Sequence, residues 1–306
     1  MMNLRMMSAQ PAIDYYAWQV EVYLTNFIGL GYNGNNIDVV AGYQESVPES
    51  WRKIQQKFPY VRFFFYEDTM GVCKYLPAIQ AHILKKHFKE HPYLKDDAIF
   101  FHDADFIFTR YMDFSKFLND DNWYFSDTVS YLGYEYIMSK GEEVLDAMCD
   151  VIGIDKSVVK SNQLNSGGAQ KLFKNIDHEY WTMVEDYSIK LYDKLLSLQH
   201  VKTDGDPYGI QAWTASMWAE LWTGWKLGHH VVVPPEFDFC WATCPMSRWD
   251  DVSFFHNAGV PSSDQGMFYK ANYMEKYPFN EKLELSDSRC SYNYYKLIES
   301  VDSCLI

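Results

Sequence analysis

Long apolar runs are missing from this 306-residue chain: no segment approaches the 18 residues of a membrane-spanning helix, which argues against a stable membrane anchor. Positive charge is in deficit. Lys and Arg number 27 against 41 Asp and Glu, a formal charge of −14. That balance excludes the basic footprint of a nucleic-acid binder and disfavours anionic membrane surfaces. Cysteine is sparse, at six residues. Cys240 and Cys244 are four apart, but no second pair completes a zinc site, so reduced thiols of a cytosolic enzyme are expected. Met1 to Ala9 carries one Arg and an apolar stretch too short for a signal sequence, so a cytoplasmic location is expected. Internal repeats and low-complexity segments are lacking too. What the chain has in quantity is aromatic side chains. Tyr, Phe and Trp make up 18% and hydrophobic residues 48%, enough for a large core.

The first 110 residues alternate between strand and helix patterns. Leu4 to Ser8 reads as a strand running into a Ser-Ala-Gln-Pro loop. Tyr15 to Leu30 has helical spacing and stops at Gly29-Leu30-Gly31. Ile37 to Ala41 and Val61 to Tyr66 read as strands. Lys74 to Phe88 reads as a helix with Leu76, Ile79, Ile83 and Phe88 inward. Ala98 to Phe101 is wholly apolar, as a central strand of a parallel sheet is. This alternation predicts an α/β fold. Beyond residue 110 aromatics become denser. Trp181 to Gln199 and Tyr208 to Leu227 read as helices, the second opened by Asp206-Pro207. No linker is visible, so one domain over 1–306 is expected, with a nucleotide-binding half (1–110) and a donor-sugar and acceptor half (111–306).

The most informative stretch is His102-Asp103-Ala104-Asp105. A buried strand emerges into two carboxylates two residues apart, and ligands bind beyond the carboxyl ends of strands in open α/β sheets. Alternate residues leaving a strand point to one side, so Asp103 and Asp105 can converge on a hard cation such as Mg²⁺ or Mn²⁺. Such an ion bridges phosphates and stabilises a departing diphosphate. A solvated strand-end turn is the alternative reading of the same four residues.

Further segments fit one pattern: Ser8-Ala9-Gln10-Pro11, Tyr15 to Val20, Asn165 to Gln170, and Phe255-His256-Asn257-Ala258-Gly259. Together with the Asp-x-Asp they cover nearly the whole chain in order. The chain resembles the GT-A-type glycosyltransferases that use nucleotide sugars. It is similar more loosely to plant hydroxyproline and serine glycosyltransferases and to glycosyltransferases of large algal viruses. The resemblance implies a GT-A (Rossmann-like) mixed sheet flanked by helices, with an aromatic-rich acceptor side. It implies Asp103 and Asp105 as metal ligands, with Ala104 between them, and His256 as a third, a hydrogen-bonded core histidine being the alternative; an O,O,N set shifts preference from Mg²⁺ toward Mn²⁺. It implies nucleotide contacts from Gln10 and Tyr15 in the loop after the first strand, Tyr15 being either a stacking surface for the base or core, and from Tyr43 at the end of the second. Lys270 corresponds to the lysine that follows His-x-x-Gly in bacterial galactosyltransferases and binds diphosphate. Gly167, Gly168 and Gln170 correspond to the segment that approaches the donor sugar, an ordinary tight turn being the alternative. Lys74, read as opening a helix, is a further phosphate candidate, or a solvated lysine.

For the base that deprotonates an acceptor hydroxyl, the candidates are Asp206 and Glu220. Asp206 also suits a helix cap. Trp213, Trp241 and Trp249 are either sugar-stacking surfaces or core. The expected activity is transfer of a hexose or pentose from a UDP-sugar to a glycan or peptide hydroxyl. Two other classes fit parts of the pattern: a catalytically inactive sugar-binding protein of this fold, and an Asp-x-Asp phosphatase. The phosphatase motif sits near the N-terminus, whereas about a hundred residues precede Asp103 here.

Overall fold

A computed structural model describes residues 2–199 and 209–306. Ten strands occur among the described residues: β1 (Leu4–Pro11), β2 (Ile37–Tyr43), β3 (Arg62–Glu67), β4 (Ala98–Phe101), β5 (Phe106–Phe108), β6 (Trp123–Asp127), β7 (Gly167–Phe173), β8 (Val231–Val232), β9 (Phe239–Trp241) and β10 (Phe254–His256). The fold is mixed α/β, with parallel and antiparallel strands flanked by helices. The chain groups into two compact units made of interleaved segments. One holds residues 5–67, 102–114 and 235–306; the other holds residues up to Leu4 with 68–101 and 115–234. The division read at residue 110 falls inside the first of these.

In the first unit, β3, β2 and β1 run parallel in that order, with Met6 opposite Ile37 and Val39 opposite Phe63. β2 is rich in β-branched residues and almost wholly buried, as expected of a strand covered on both faces. One buried charge sits in it: Asp38 is bonded by Arg62 at 2.6 and 2.7 Å and by Arg5 at 3.3 Å. A second, three-stranded sheet has the order β5-β10-β9. The Asp14–Gly29 helix lies in this unit with Trp18, Tyr23 and Phe27 fully buried. Its core is aromatic: Phe27, Phe106, Phe108 and Phe254 pack edge to face or tilted at 4.8–6.0 Å between centroids.

In the second unit, β4 and β6 both pair antiparallel with β7, and β8 pairs parallel with β6. The Ile79–Glu90, His178–Ser197 and Ala215–Lys226 helices pack together beside them. The His178–Ser197 helix starts where the Asp177 carboxylate accepts from the Glu179 and Tyr180 backbone N–H groups, a side-chain cap. Trp181, Val184, Ser188, Leu191 and Leu195 form its buried stripe.

Several boundaries differ from expectation. β1 continues through Ala9-Gln10-Pro11, since Ser8 and Gln10 find partners inside the fold: Ser8 Oγ with Tyr23 Oη at 2.8 Å, and Gln10 Nε2 donating to Val40 O at 3.1 Å. Lys74 opens no helix. It lies exposed before a short turn at Leu76–Ala78, and the helix starts at Ile79. Leu76, expected inward, is exposed. The Trp-rich helix starts at Ala215; its expected opening at Asp206-Pro207 lies outside the described residues. All six cysteines are free thiols. No helix among the described residues is long and apolar enough to cross a membrane.

Candidate metal and nucleotide site

β4 ends at Phe101, and the four residues after it turn back into β5. The turn is closed by two bonds to the Asp103 carbonyl, from the Phe106 N–H at 3.3 Å and from His102 Nδ1 at 2.9 Å. Ala104, between the acids, is buried. β10 pairs antiparallel with β5, putting His256 opposite Phe106, and the Asn257 N–H donates to Asp105 O at 3.0 Å. This register draws sequence positions 105 and 256 together. His256 Nε2 lies 3.1 Å from Asp105 Oδ1 and 3.6 Å from Asp103 Oδ2. Trp241, opposite His256 on β9, stacks on the imidazole at 5.4 Å and 27°, which holds the ring plane.

One ligand atom from each of Asp103, Asp105 and His256 falls within 4.8 Å of the others. Two carboxylates and one imidazole make a donor set suited to Mn²⁺ or Mg²⁺. Their burial is graded. The Asp105 side chain is 6% exposed and that of Asp103 38%, so the trio has a closed side and an open one. The residues present therefore fit a divalent cation with room for further ligands.

A fourth group completes the cluster: the Lys270 ammonium donates to Asp105 Oδ2. Burial works against ionised Asp105, but Lys270 and then His256 outweigh it and hold the carboxyl well below its usual range. Burial likewise opposes the charged form of His256, and Asp105 followed by Asp103 overcomes it, raising the imidazole's pKa. His102 behaves oppositely. It is fully buried among Tyr23, Phe27 and Phe106, and burial lowers it to about 4, so it is a neutral core histidine beside the acids.

Tyr15 lies in the first turn of the Asp14–Gly29 helix, not in a loop. Burial raises its phenol, with Lys270 opposing and Asp105 adding. Tyr16, which the sequence reading passed over, is pushed up to about 12 by burial, then by Tyr15, Asp103 and Asp105. The Tyr-Tyr pair at a helix start was the available signal. Asn257 was passed over too: it is buried, and neither amide atom of its side chain has a hydrogen-bond partner. Its position next to His256 was visible in the sequence; its lost hydration was not. Gln10 is buried within β1 with its Oε1 unpartnered, instead of standing in a loop. Tyr43 ends β2 opposite Glu67 and is half-buried.

Gly167, Gly168 and Gln170 lie in the other unit, inside β7 rather than in a turn. The pairing register shifts between Phe125 and Ser126, leaving Ala169 and Gln170 as a bulge, with Ala169 at a φ of +54°. Gln170 is fully buried and accepts from Ser126 Oγ at 2.8 Å. A Cβ on Gly167 would stand 2.6 Å from Phe125 Cβ, and one on Gly168 2.6 Å from Met217 Cε. Both glycines thus answer first to packing. Glu220, proposed as a base, is buried and paired with Lys171 at 2.5 Å. Both partners of this ion pair are buried, so the geometry favours a structural role. Asp206 lies outside the described residues. Trp249 packs on Phe255, while Trp213 is 61% exposed.

No protein-family profile and no curated sequence matches the chain. Solved structures do. The galactosyltransferase LgtC, solved with donor and acceptor sugar analogs, is 12% identical over 99% of this chain and 97% of its own, with a TM-score of 0.49. The WbbM bifunctional glycosyltransferase is 11% identical with a TM-score of 0.48; the match takes in 98% of this chain and 50% of WbbM, so the chain spans half its length. A glycosyltransferase involved in glycosylation of the major capsid of PBCV-1 is 11% identical over 88% and 96%, with a TM-score of 0.43.

Proposed function

We propose that the chain is a divalent-cation-dependent transferase. More narrowly, it is a glycosyltransferase that moves a hexose or pentose from a UDP-sugar to a hydroxyl of a glycan or peptide. The observation that carries this reading is the convergence of Asp103, Asp105 and His256 at one end of β5 and β10, with the Lys270 ammonium against the same carboxylate. Two hard oxygens, one imidazole nitrogen and an adjacent cation form a set that suits a metal-bound diphosphate. A divalent ion held there supplies charge stabilisation to the leaving diphosphate. Asp103, on the open side, and buried Asp105 would hold it, with His256 as the nitrogen ligand oriented by Trp241. Lys270 supplies a second positive charge for the phosphates. Tyr15 and Tyr16 bring two phenol rings to the same cluster, a surface on which a pyrimidine base can stack.

The test is thermal stability against a panel of nucleotides and nucleotide sugars, with and without Mn²⁺. Stabilisation by UDP that requires Mn²⁺ is expected. Indifference to every nucleotide would remove this reading and restore that of an inactive sugar-binding protein.

A further inference from the structure

Both oxygens of Asp105 are engaged inside the protein. Oδ1 lies 3.1 Å from His256 Nε2, and Oδ2 accepts from the Lys270 ammonium. The metal reading above assigns the same carboxylate to a divalent ion. Resting on that reading, we infer that Lys270 is a built-in counter-ion which the divalent cation displaces from Asp105. The displaced ammonium is then the partner of an arriving diphosphate, so that metal and nucleoside diphosphate bind with positive coupling through one lysine.

The charges give the direction. A metal ligand must be the neutral imidazole, so with His256 in that form two carboxylates and one ammonium leave the cluster at −1. Adding a divalent ion while the ammonium stays beside Asp105 brings it to +1 and sets two cations against each other at close range. An anion with several oxygens relieves that repulsion, so it favours the metal-loaded state. Without the lysine the cluster stands at −2 and holds the metal well on its own. Lys270 therefore weakens metal binding before the nucleotide arrives and strengthens it afterwards. By linkage, the metal must raise the affinity for the nucleotide by the same factor.

The surrounding chain lets the side chain make this exchange while the backbone stays in place. Phe268 N donates to buried Ser291 Oγ at 2.7 Å on one side of Lys270. On the other, Trp18 Nε1 donates to Tyr273 O at 3.3 Å. Phe268 and Tyr273 stack on each other at 5.2 Å, and both pack against Trp18. Lys270 opens the short turn between these anchors, and its side chain is 30% exposed. A flexible four-carbon stem on a fixed base swings its ammonium from carboxylate to phosphate without rearranging the core.

Calorimetric Mn²⁺ binding to the full chain, with and without UDP, tests this in the wild type, Lys270→Met and Lys270→Gln; the second variant serves if the first fails to fold. Both variants are expected to bind Mn²⁺ alone at least about fivefold more tightly than the wild type. In both, the gain in Mn²⁺ affinity on adding UDP should shrink by at least about fivefold, the low end of common coupling factors. Unchanged or weaker Mn²⁺ binding in folded variants overturns the counter-ion role and leaves the metal site standing. If neither the cooperatively melting wild type nor the variants bind Mn²⁺, the metal reading fails and takes this inference with it.

Discussion

His256 Nε2 and Asp105 Oδ1 stand 3.1 Å apart although 151 positions separate them (256 − 105), and the β10–β5 register is what joins them. Asp103 shares the contact at 3.6 Å but from a more open position. The two acids are therefore unequal, and substitution should show it. Asp103→Asn and Asp105→Asn each remove one anionic ligand and should lower transfer by about 10²–10³, the usual cost of one transition-state charge contact. Their effects on folding should diverge. Asp103→Asn should melt like the wild type. Asp105→Asn leaves Lys270 without its carboxylate and should cost about 1–3 kcal/mol in metal-free protein. Near wild-type turnover in either variant contradicts the ligand assignment.

Stability should fall with acidification for a reason that lies beside the metal trio. His102 has an unfolded value near 6.5 and is lowered by burial to about 4 in the fold. A depressed folded pKa contributes stability that is complete above the unfolded value and lost as pH falls through the folded one. The window is therefore pH 6.5 down to 4. At pH 5 the loss from this one group is about 2 kcal/mol. His256, raised in the fold, works in the opposite sense: its contribution is present below its unfolded value and lost as pH rises through the folded one. Denaturant unfolding of metal-free His102→Asn between pH 7 and 5 should show a flatter acid limb than the wild type. An equally steep limb contradicts the account of His102.

The Lys171–Glu220 pair should prove structural. Both side chains are almost fully buried, at 6% and 4% exposure. Glu220→Gln strands a buried ammonium and should destabilise by about 3–5 kcal/mol, whereas Lys171→Met combined with Glu220→Leu should recover most of that loss. A Glu220→Gln protein that melts normally but transfers no sugar would identify Glu220 as the base after all.

Gly167 and Gly168 should differ on substitution by alanine. The new Cβ at Gly167 meets Phe125 Cβ at 2.6 Å and Ser126 O at 2.9 Å, groups fixed to the backbone. At Gly168 the closest atom is the flexible end of Met217. Gly167→Ala should cost more, within the roughly 1–3 kcal/mol typical of overpacking. Chemical denaturation of the two variants checks the ranking, and the reverse order contradicts it.

Much of this was legible in the amino-acid order. Ala98 to Phe101 was recognisable because a fully buried strand has no polar face to disguise it. Asp103 and Asp105 followed from where that strand ends. His256 needed its pairing with distant acids, and only β-sheet register supplies that. What was not legible shares one physical cause: polar or small residues whose partners are remote in sequence. Gln10 looked like loop because Val40 O is thirty positions away. That Gly167 and Gly168 lie inside a strand was hidden because Phe125 and Met217, which crowd their Cβ positions, are distant. The ion pair of Glu220 was hidden because Lys171 lies 49 positions away.

The most direct test of the central claim is sugar transfer from a panel of UDP-sugars, measured on dialysed wild-type protein in excess chelator and again after Mn²⁺ is restored. The account predicts no product in chelator, recovery with Mn²⁺ from at least one donor, and no recovery in Asp103→Asn. Full transfer in excess chelator would contradict it.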